Sequence, residues 1–341
     1  MGPQYGRYGT GIFGMLQRLE NYLSRARYWF PDIPRTRPGL IGLILDIIRV
    51  YNRDICSIHQ QSESDFFPDM TSSNKAFVLS AATHDRPSRI DSRAPMESRE
   101  IVINRGQLNG QADVFVGRSS VRTTVTGEIT PPSSDRPNEG RLFFNVELGM
   151  ALDSTTGDTI RPRADATSVS NFVERVLKGS KAVDTESLCI LGGKSVWSVR
   201  FDIHVLNDDG AVLDACAISV LAALLNFRCS SVDVTGDSAT VFTSKSREPV
   251  PLSIHHLPIA TTFALCSSPS GVVWVMDPCS VEEQAFESCM TVIVNKHGEL
   301  CGIHKPGGIA VDPHVLQECL NASIIRAKTI SMDLHNMTLL S

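Results

Sequence analysis

Residues 212–227 of this 341-residue chain read Val-Leu-Asp-Ala-Cys-Ala-Ile-Ser-Val-Leu-Ala-Ala-Leu-Leu-Asn-Phe. The stretch is almost wholly apolar, rich in Ala, and about four turns long as a helix. A helix that is apolar on every side has to be buried. The segment before it, Asn207-Asp208-Asp209-Gly210, is a strong turn, because Asn and Asp hydrogen-bond their own backbone and Gly accepts left-handed angles. A chain of this length can enclose such a helix in a sizeable core. Hydrophobic residues make up 42% and charged residues 20% of the sequence, which excludes wholesale disorder.

Around this helix the chain alternates between two periodicities. Helices are predicted over 75–83, capped by Ser73-Asn74, and over 164–178, where Val169, Phe172, Val173, Val176 and Leu177 share a face. Further helical pieces are predicted over 182–189, 281–288 and 313–337. Strands are predicted over 100–104, 112–116, 121–126, 142–148, 195–206, 232–235, 239–243, 257–265, 272–276, 290–294 and 300–304. In 195–206, Trp197, Val199, Phe201, Ile203 and Val205 face one way; Val196, Ser198, Arg200, Asp202 and His204 face the other. Runs of strands precede helices twice, so the fold class is α+β.

Residues 1–69 have a different texture. They hold eight Arg, no Lys and seven acids, with dense aromatics. Three readings are open: an organelle presequence, an N-terminal extension outside the core, or upstream sequence with Met70 as the working start. The nine cysteines are odd in number, form no CxxC and mostly lie in apolar runs, as expected of small core residues in a reducing compartment. No apolar run is long enough to span a membrane.

The formal charge of −5 excludes a highly cationic nucleic-acid coat but not a local basic strip. Arg136 and Arg141 flank one loop, and Arg161, Arg163, Arg175, Lys178 and Lys181 occupy another segment. Arg175 and Lys178 are three apart on a predicted helix and lie side by side, as phosphate contacts or as a solvated face. Asp208, Asp209 and Asp214 gather at the turn into the apolar helix; Asp277, Glu282 and Glu283 gather at 281–288. Each group is either a magnesium or acid–base set or a set of helix caps. His297, Cys301 and His304, with Cys289 nearby, have a loose metal-like spacing. Cys301 and His304 point to opposite faces of one strand, so no metal site is expected.

Several longer motifs carry a resemblance. They are Arg136-Pro-Asn-Glu-Gly-Arg-Leu-Phe-Phe-Asn, Asp184-Thr-Glu-Ser-Leu-Cys, Glu248-Pro-Val-Pro-Leu-Ser-Ile-His-His and Asp277-Pro-Cys-Ser-Val-Glu-Glu, with Arg89-Ile-Asp-Ser-Arg93 near the start. Over about residues 72–335 the chain resembles the RNase PH family, and within it the non-catalytic branch of RNA exosome ring subunits. The resemblance implies an RNase PH-like fold of two βαβα-type layers with an N-terminal extension. Residues 1–69 would be the extension, 70–250 the first subdomain and 251–341 the second. That it begins just after Met70 favours the reading of residues 1–69 as dispensable or artefactual.

Active members of the family cleave RNA from its 3′ end with inorganic phosphate, gripped by a Gly-Thr-Arg or Gly-Ser-Arg turn at the buried helix. Val212 and Leu213 stand at the matching positions, and neither side chain donates a hydrogen bond. Cys289 falls where those members place an aspartate. The resemblance therefore implies no catalytic residues, no metal and no cofactor. It implies RNA contacts by Arg175 and Lys178, and the local clustering of basic residues adds Lys181, Arg136, Arg161 and Arg163 as candidates. The implied partners are other RNase PH-like ring subunits, RNA-binding cap subunits and single-stranded RNA, with no membrane. The implied compartments are nucleus, nucleolus and cytoplasm. An active phosphorolytic 3′ exoribonuclease is the alternative.

Overall fold

Two antiparallel-rich sheets enclose the apolar helix. The computed structural model describes residues 72–83, 89–149, 151–152, 159–160, 165–235, 238–242, 247–268 and 271–339, all within the unit Asp65–Ser341. The expectations for residues 1–69, Arg161 and Arg163 lie outside the described residues.

Helix α1 (Ser72–Thr83) precedes β1 (Ile101–Arg105), β2 (Gln111–Val116), β3 (Ser119–Thr130) and β4 (Arg141–Leu148). Helix α2 (Ala166–Glu174), β5 (Cys189–Leu191) and β6 (Ser195–Asn207) follow. The first sheet has the order β1-β2-β3-β6-β4, with β5 added to β6. Only the β4–β6 pair is parallel among these strands, and α2 makes the crossover that a parallel pair needs. The second half runs α3 (Val212–Asn226), β7 (Ile259–Ser268), β8 (Gly271–Met276), α4 (Ser280–Ala285), β9 (Ser288–Val294), β10 (Leu300–His304) and α5 (Pro313–Leu339). Its sheet has the antiparallel order β8-β7-β9-β10.

Helix α3 packs on β2 and β3 of the first sheet and on β7 of the second. Every one of its residues except Leu213 and Leu225 is buried, which is why its sequence has no polar stripe. Where it meets the first sheet, Ser219 shares a 2.7 Å hydrogen bond with Thr123. The alternation expected in 195–206 holds along most of β6. Val199, Phe201, Ile203 and Val205 are buried while Arg200 is exposed. Val196 and Ser198 depart from it, and both are buried.

Three expected helices differ. Residues 182–189 are not helical: Val183 bridges to Ile254, a turn follows, and β5 begins at Cys189. Asp184 accounts for this, since its carboxylate accepts the Glu186 N–H and its carbonyl accepts the Ser187 hydroxyl, in competition with a helical ladder. The helix expected over 164–178 ends as α-helix at Glu174 and continues as a π turn, Arg175–Gly179. The Ala182 N–H reaches the Leu177 carbonyl, five residues back. Helix α4 stops at Ala285, because β9 already begins at Ser288.

The turn into α3 is left-handed twice, with φ of 86° at Gly210 and 52° at Ala211. Gly210 lies against the backbone of Pro278, Cys279 and Ser280, and an added Cβ would sit 2.5 Å from the Pro278 oxygen. Gly210→Ala is expected to destabilise the protein by roughly 1–3 kcal/mol through backbone strain alone, and by more with the clash. Urea unfolding of the variant against the parent checks this.

Candidate functional site

The two acidic groups singled out by the sequence do come together, at the junction between the mouth of α3 and α4. They are engaged in ion pairs and caps. Asp277, fully buried and with a left-handed φ of 52°, accepts hydrogen bonds from the Arg99 backbone N–H at 2.7 Å and the Arg99 guanidinium at 2.7 Å. The Arg93 guanidinium donates to the same carboxylate at 3.2 Å. Burial alone would push the Asp277 carboxyl up, but the hydrogen bonds from Arg99 and the charges of Arg326 and Arg99 hold it below the usual carboxylate range. Glu282 accepts from Arg89 Nε at 2.8 Å and caps α4 through the Cys279 N–H. Asp214 accepts from the Arg326 guanidinium at 2.8 Å and from the backbone and hydroxyl of Thr262. Asp209 offers its carbonyl to Arg99 and its carboxylate to the Ser280 hydroxyl. Asp208 closes an Asx turn on the Gly210 N–H.

Arg89, Arg93, Arg99 and Arg326 are the partners that sequence reasoning missed as a set. The Arg89–Arg93 motif was visible, but nothing local told which carboxylates these cations meet.

At the mouth of α3 the Ala211 N–H donates to Glu283 Oε1 at 2.8 Å. A carboxylate from α4 thus occupies the electropositive end of the helix, where an anion is favoured. Val212 is buried and Leu213 half-buried beside it. Cys289 lies opposite Ala264 across β7 and β9. It packs, with Leu79 and Val273, on an apolar cluster of Val78, Ala82, Ala264, Cys266, Val275, Ala285 and Phe286. Apart from the thiols of Cys266 and Cys289, these side chains are hydrocarbon. Among the described residues, no group of three or more His, Cys, Asp or Glu could hold a metal ion, and no helix is long and apolar enough to cross a membrane.

The basic residues form a second candidate place. Arg175, Lys178 and Lys181 are exposed along the π turn and its exit, and Lys181 has a left-handed φ of 54°. Lys178 pairs with Glu174 at 2.7 Å and lies 5.9 Å from the centre of the Phe144 ring. An exposed pair of that kind contributes only about 0.3–0.5 kcal/mol, so the ammonium is readily recruited elsewhere. Arg136 is carried by a different element, the loop before β4, and pairs with Glu139 at 2.9 Å. The end of β10 rests on the π turn. There His304 meets the Phe172 ring at 5.3 Å. Burial, and then the charge of Arg175, push His304 down to about 4, so the ring is neutral at physiological pH.

Comparison with known proteins accords with this architecture. The model of the 3′ exoribonuclease (RNase PH) family, domain 1, matches residues 97–230, and that of domain 2 matches residues 256–326. The exosome complex component RRP45A of Arabidopsis thaliana is 38% identical over 76% of this chain and 83% of its own length. RRP45B of the same plant is 40% identical over 70% of this chain and 55% of its own length. RRP45 of Homo sapiens is 34% identical over 77% of this chain and 58% of its own length. A solved structure of the Archaeoglobus fulgidus exosome with RNA bound to the active site superposes with a TM-score of 0.63 at 27% identity, covering 76% of this chain and 97% of that one. The chain belongs to the RNase PH family. It spans little more than half the length of RRP45B and of human RRP45.

Glu282→Leu would remove the carboxylate nearest the buried Arg89 guanidinium and is expected to cost about 3–5 kcal/mol. Glu282→Gln keeps an acceptor without the charge and is expected to fall between that variant and the parent. Equilibrium urea unfolding of the three proteins measures both differences.

Proposed function

We infer that this chain is a non-catalytic subunit of an RNA exosome ring, contributing structure and RNA contacts to 3′-to-5′ RNA processing and decay. Membership of the RNase PH family and the likeness to RRP45 proteins support the assignment. The observation that carries the non-catalytic part is the mouth of α3. Phosphorolysis needs side-chain donors there for inorganic phosphate. Val212 and Leu213 supply none, and the Glu283 carboxylate already accepts the Ala211 N–H. A second carboxylate's place is taken by Cys289, set against apolar side chains.

The partners in this reading are other RNase PH-like ring subunits, RNA-binding cap subunits and single-stranded RNA, in nucleus, nucleolus and cytoplasm. Arg175, Lys178 and Lys181 are the RNA contacts favoured by their common position, with Arg136 on a separate loop. Their contacts would be to phosphates and so independent of base sequence.

Incubated with single-stranded RNA, inorganic phosphate and magnesium, the purified chain is expected to release no nucleoside diphosphate above background. Release that Asp208→Asn abolishes would restore the enzyme reading. In a reconstituted ring, the double change Arg175→Glu and Lys178→Glu is expected to weaken binding of single-stranded RNA. It should also flatten the plot of log affinity against log salt by roughly 0.7 for each phosphate no longer neutralised. Size-exclusion profiles of parent and variant rings control for assembly, and an unchanged slope in intact rings removes this face from the RNA path.

A further inference from the structure

Strand β4 is the last of its sheet, and among the described strands it pairs with β6 alone. Its middle reads Phe143-Phe144, and successive residues of a strand point to opposite faces. Phe144 turns to the buried side. Its ring stacks on Phe201 at 4.8 Å, and the Lys178 ammonium lies 5.9 Å from its centre. Phe143 turns to the outer side and is 51% exposed. The other residues on that side of β4 are Arg141, Asn145 and Glu147, the polar row expected of a half-buried strand. A lone exposed aromatic is common on protein surfaces, so the reading depends on its neighbours.

The register identifies them, since paired residues share a face. Phe143 lies opposite Arg200 of β6, and Arg141 lies opposite Ser198. The Arg200 guanidinium is exposed and pairs with Asp202 at 2.9 Å, a kind of contact that contributes little and is easily exchanged. Asp202, opposite Asn145, also accepts from the Asn145 amide at 3.2 Å. Glu128 of β3 sits across from Ser198. Two guanidinium groups and two carboxylates leave the surroundings of Phe143 close to neutral, which suits a base better than a phosphate. An aromatic face ringed by donors and acceptors is what an unstacked base requires, a plane to lie on and partners for its edges. Aromatic side chains on open sheet faces serve this purpose in other RNA-binding modules. The site is also next to a cation already assigned to RNA: Phe143 and Phe144 are successive residues, so Phe143 lies just across the sheet edge from Lys178.

We propose that Phe143 is a stacking platform for a base of single-stranded RNA at the β4 edge, with Arg141 and Arg200 beside it. This rests on the reading of Arg175 and Lys178 as phosphate contacts and extends it from the RNA backbone to the bases. Every base has a π face, so the platform accepts any of them.

The test uses reconstituted rings carrying the parent chain, Phe143→Ala, Phe143→Tyr, or the double change Arg175→Glu and Lys178→Glu. Fluorescein-labelled single-stranded oligoadenylate is titrated across a salt series, with assembly checked by size exclusion. Phe143→Ala is expected to weaken binding roughly 5- to 150-fold. It should leave the log–log salt slope unchanged, because stacking neutralises no phosphate and releases no counterion. Phe143→Tyr should stay near the parent affinity. Parent affinity for Phe143→Ala, together with a flattened slope for the double variant, would overturn the proposal and leave the phosphate-contact reading standing. Parent behaviour in both variants would overturn both. If Phe143→Ala disturbs assembly, ultraviolet crosslinking of the parent ring to 5-iodouridine RNA replaces the titration. A crosslink at Phe143 supports the proposal. Crosslinks confined to other residues overturn it and assign Phe143 to a contact between subunits.

Discussion

The desolvated charge of Asp277 sets the terms for everything around it. Taking a carboxylate out of water costs several kcal/mol even after relaxation, and only close, well-aligned donors offset it. Arg99 supplies both its backbone and its guanidinium, and Arg93 adds a further N–H. Those arginines also donate to the carbonyls of Asp209, Gly210 and Asp277, so they tie the segment before β1 to the mouth of α3 and the approach to α4. Arg89 and Glu282 repeat the device one step further along. No one of these segments can settle without the others, because each holds a charge the next must neutralise.

The same interactions decide what the carboxylates can do chemically. A general acid or base works best when its pKa lies near the working pH. Guanidinium groups around Asp277 move it the other way, toward a permanently ionised, weakly basic carboxylate. Glu283 likewise directs its charge to a helix terminus. Acidic residues beside a buried helix in a nuclease family invite a catalytic reading; here they also hold ion pairs and helix caps that join separate segments. Arg175, Lys178 and Lys181, along the π turn after α2 and its exit, are exposed to solvent.

How much of this was legible in the sequence depended on the range of the interaction. Helix α3 was legible because burial on all sides leaves a local signature, an unbroken apolar run. Strand β6 was legible for the same reason, through its alternation. The substitutions Val212, Leu213 and Cys289 stood out only against a family pattern, since each is unremarkable as a core residue. By contrast, Asp277 meets Arg99 across 178 positions, and Arg326 meets Asp214 across 112. No periodicity announces such a pair, so the acids were seen and their cations were not. In residues 182–189 the expected helix is absent because the Asp184 side chain closes a turn there. The role of Glu283 was half visible, as an acid in the first turn of α4. That it caps a different helix was not.

The π turn at Arg175–Gly179 has a consequence for how this surface tolerates change in length. A π turn holds one residue more than an α turn, so it behaves as an insertion stored inside a helix. Deleting a single residue there would let the segment relax to ordinary α geometry. Each residue of an α-helix turns the chain by about 100° and advances it about 1.5 Å. Lys181 and everything up to the Val183 bridge would then swing around the helix axis, while Arg175 stayed where it is. The stored residue therefore acts as a phase setting: it fixes the rotational offset between the cations before and after it. Substitutions can alter the charge of this rim, but its angular layout changes only with a gain or loss of chain.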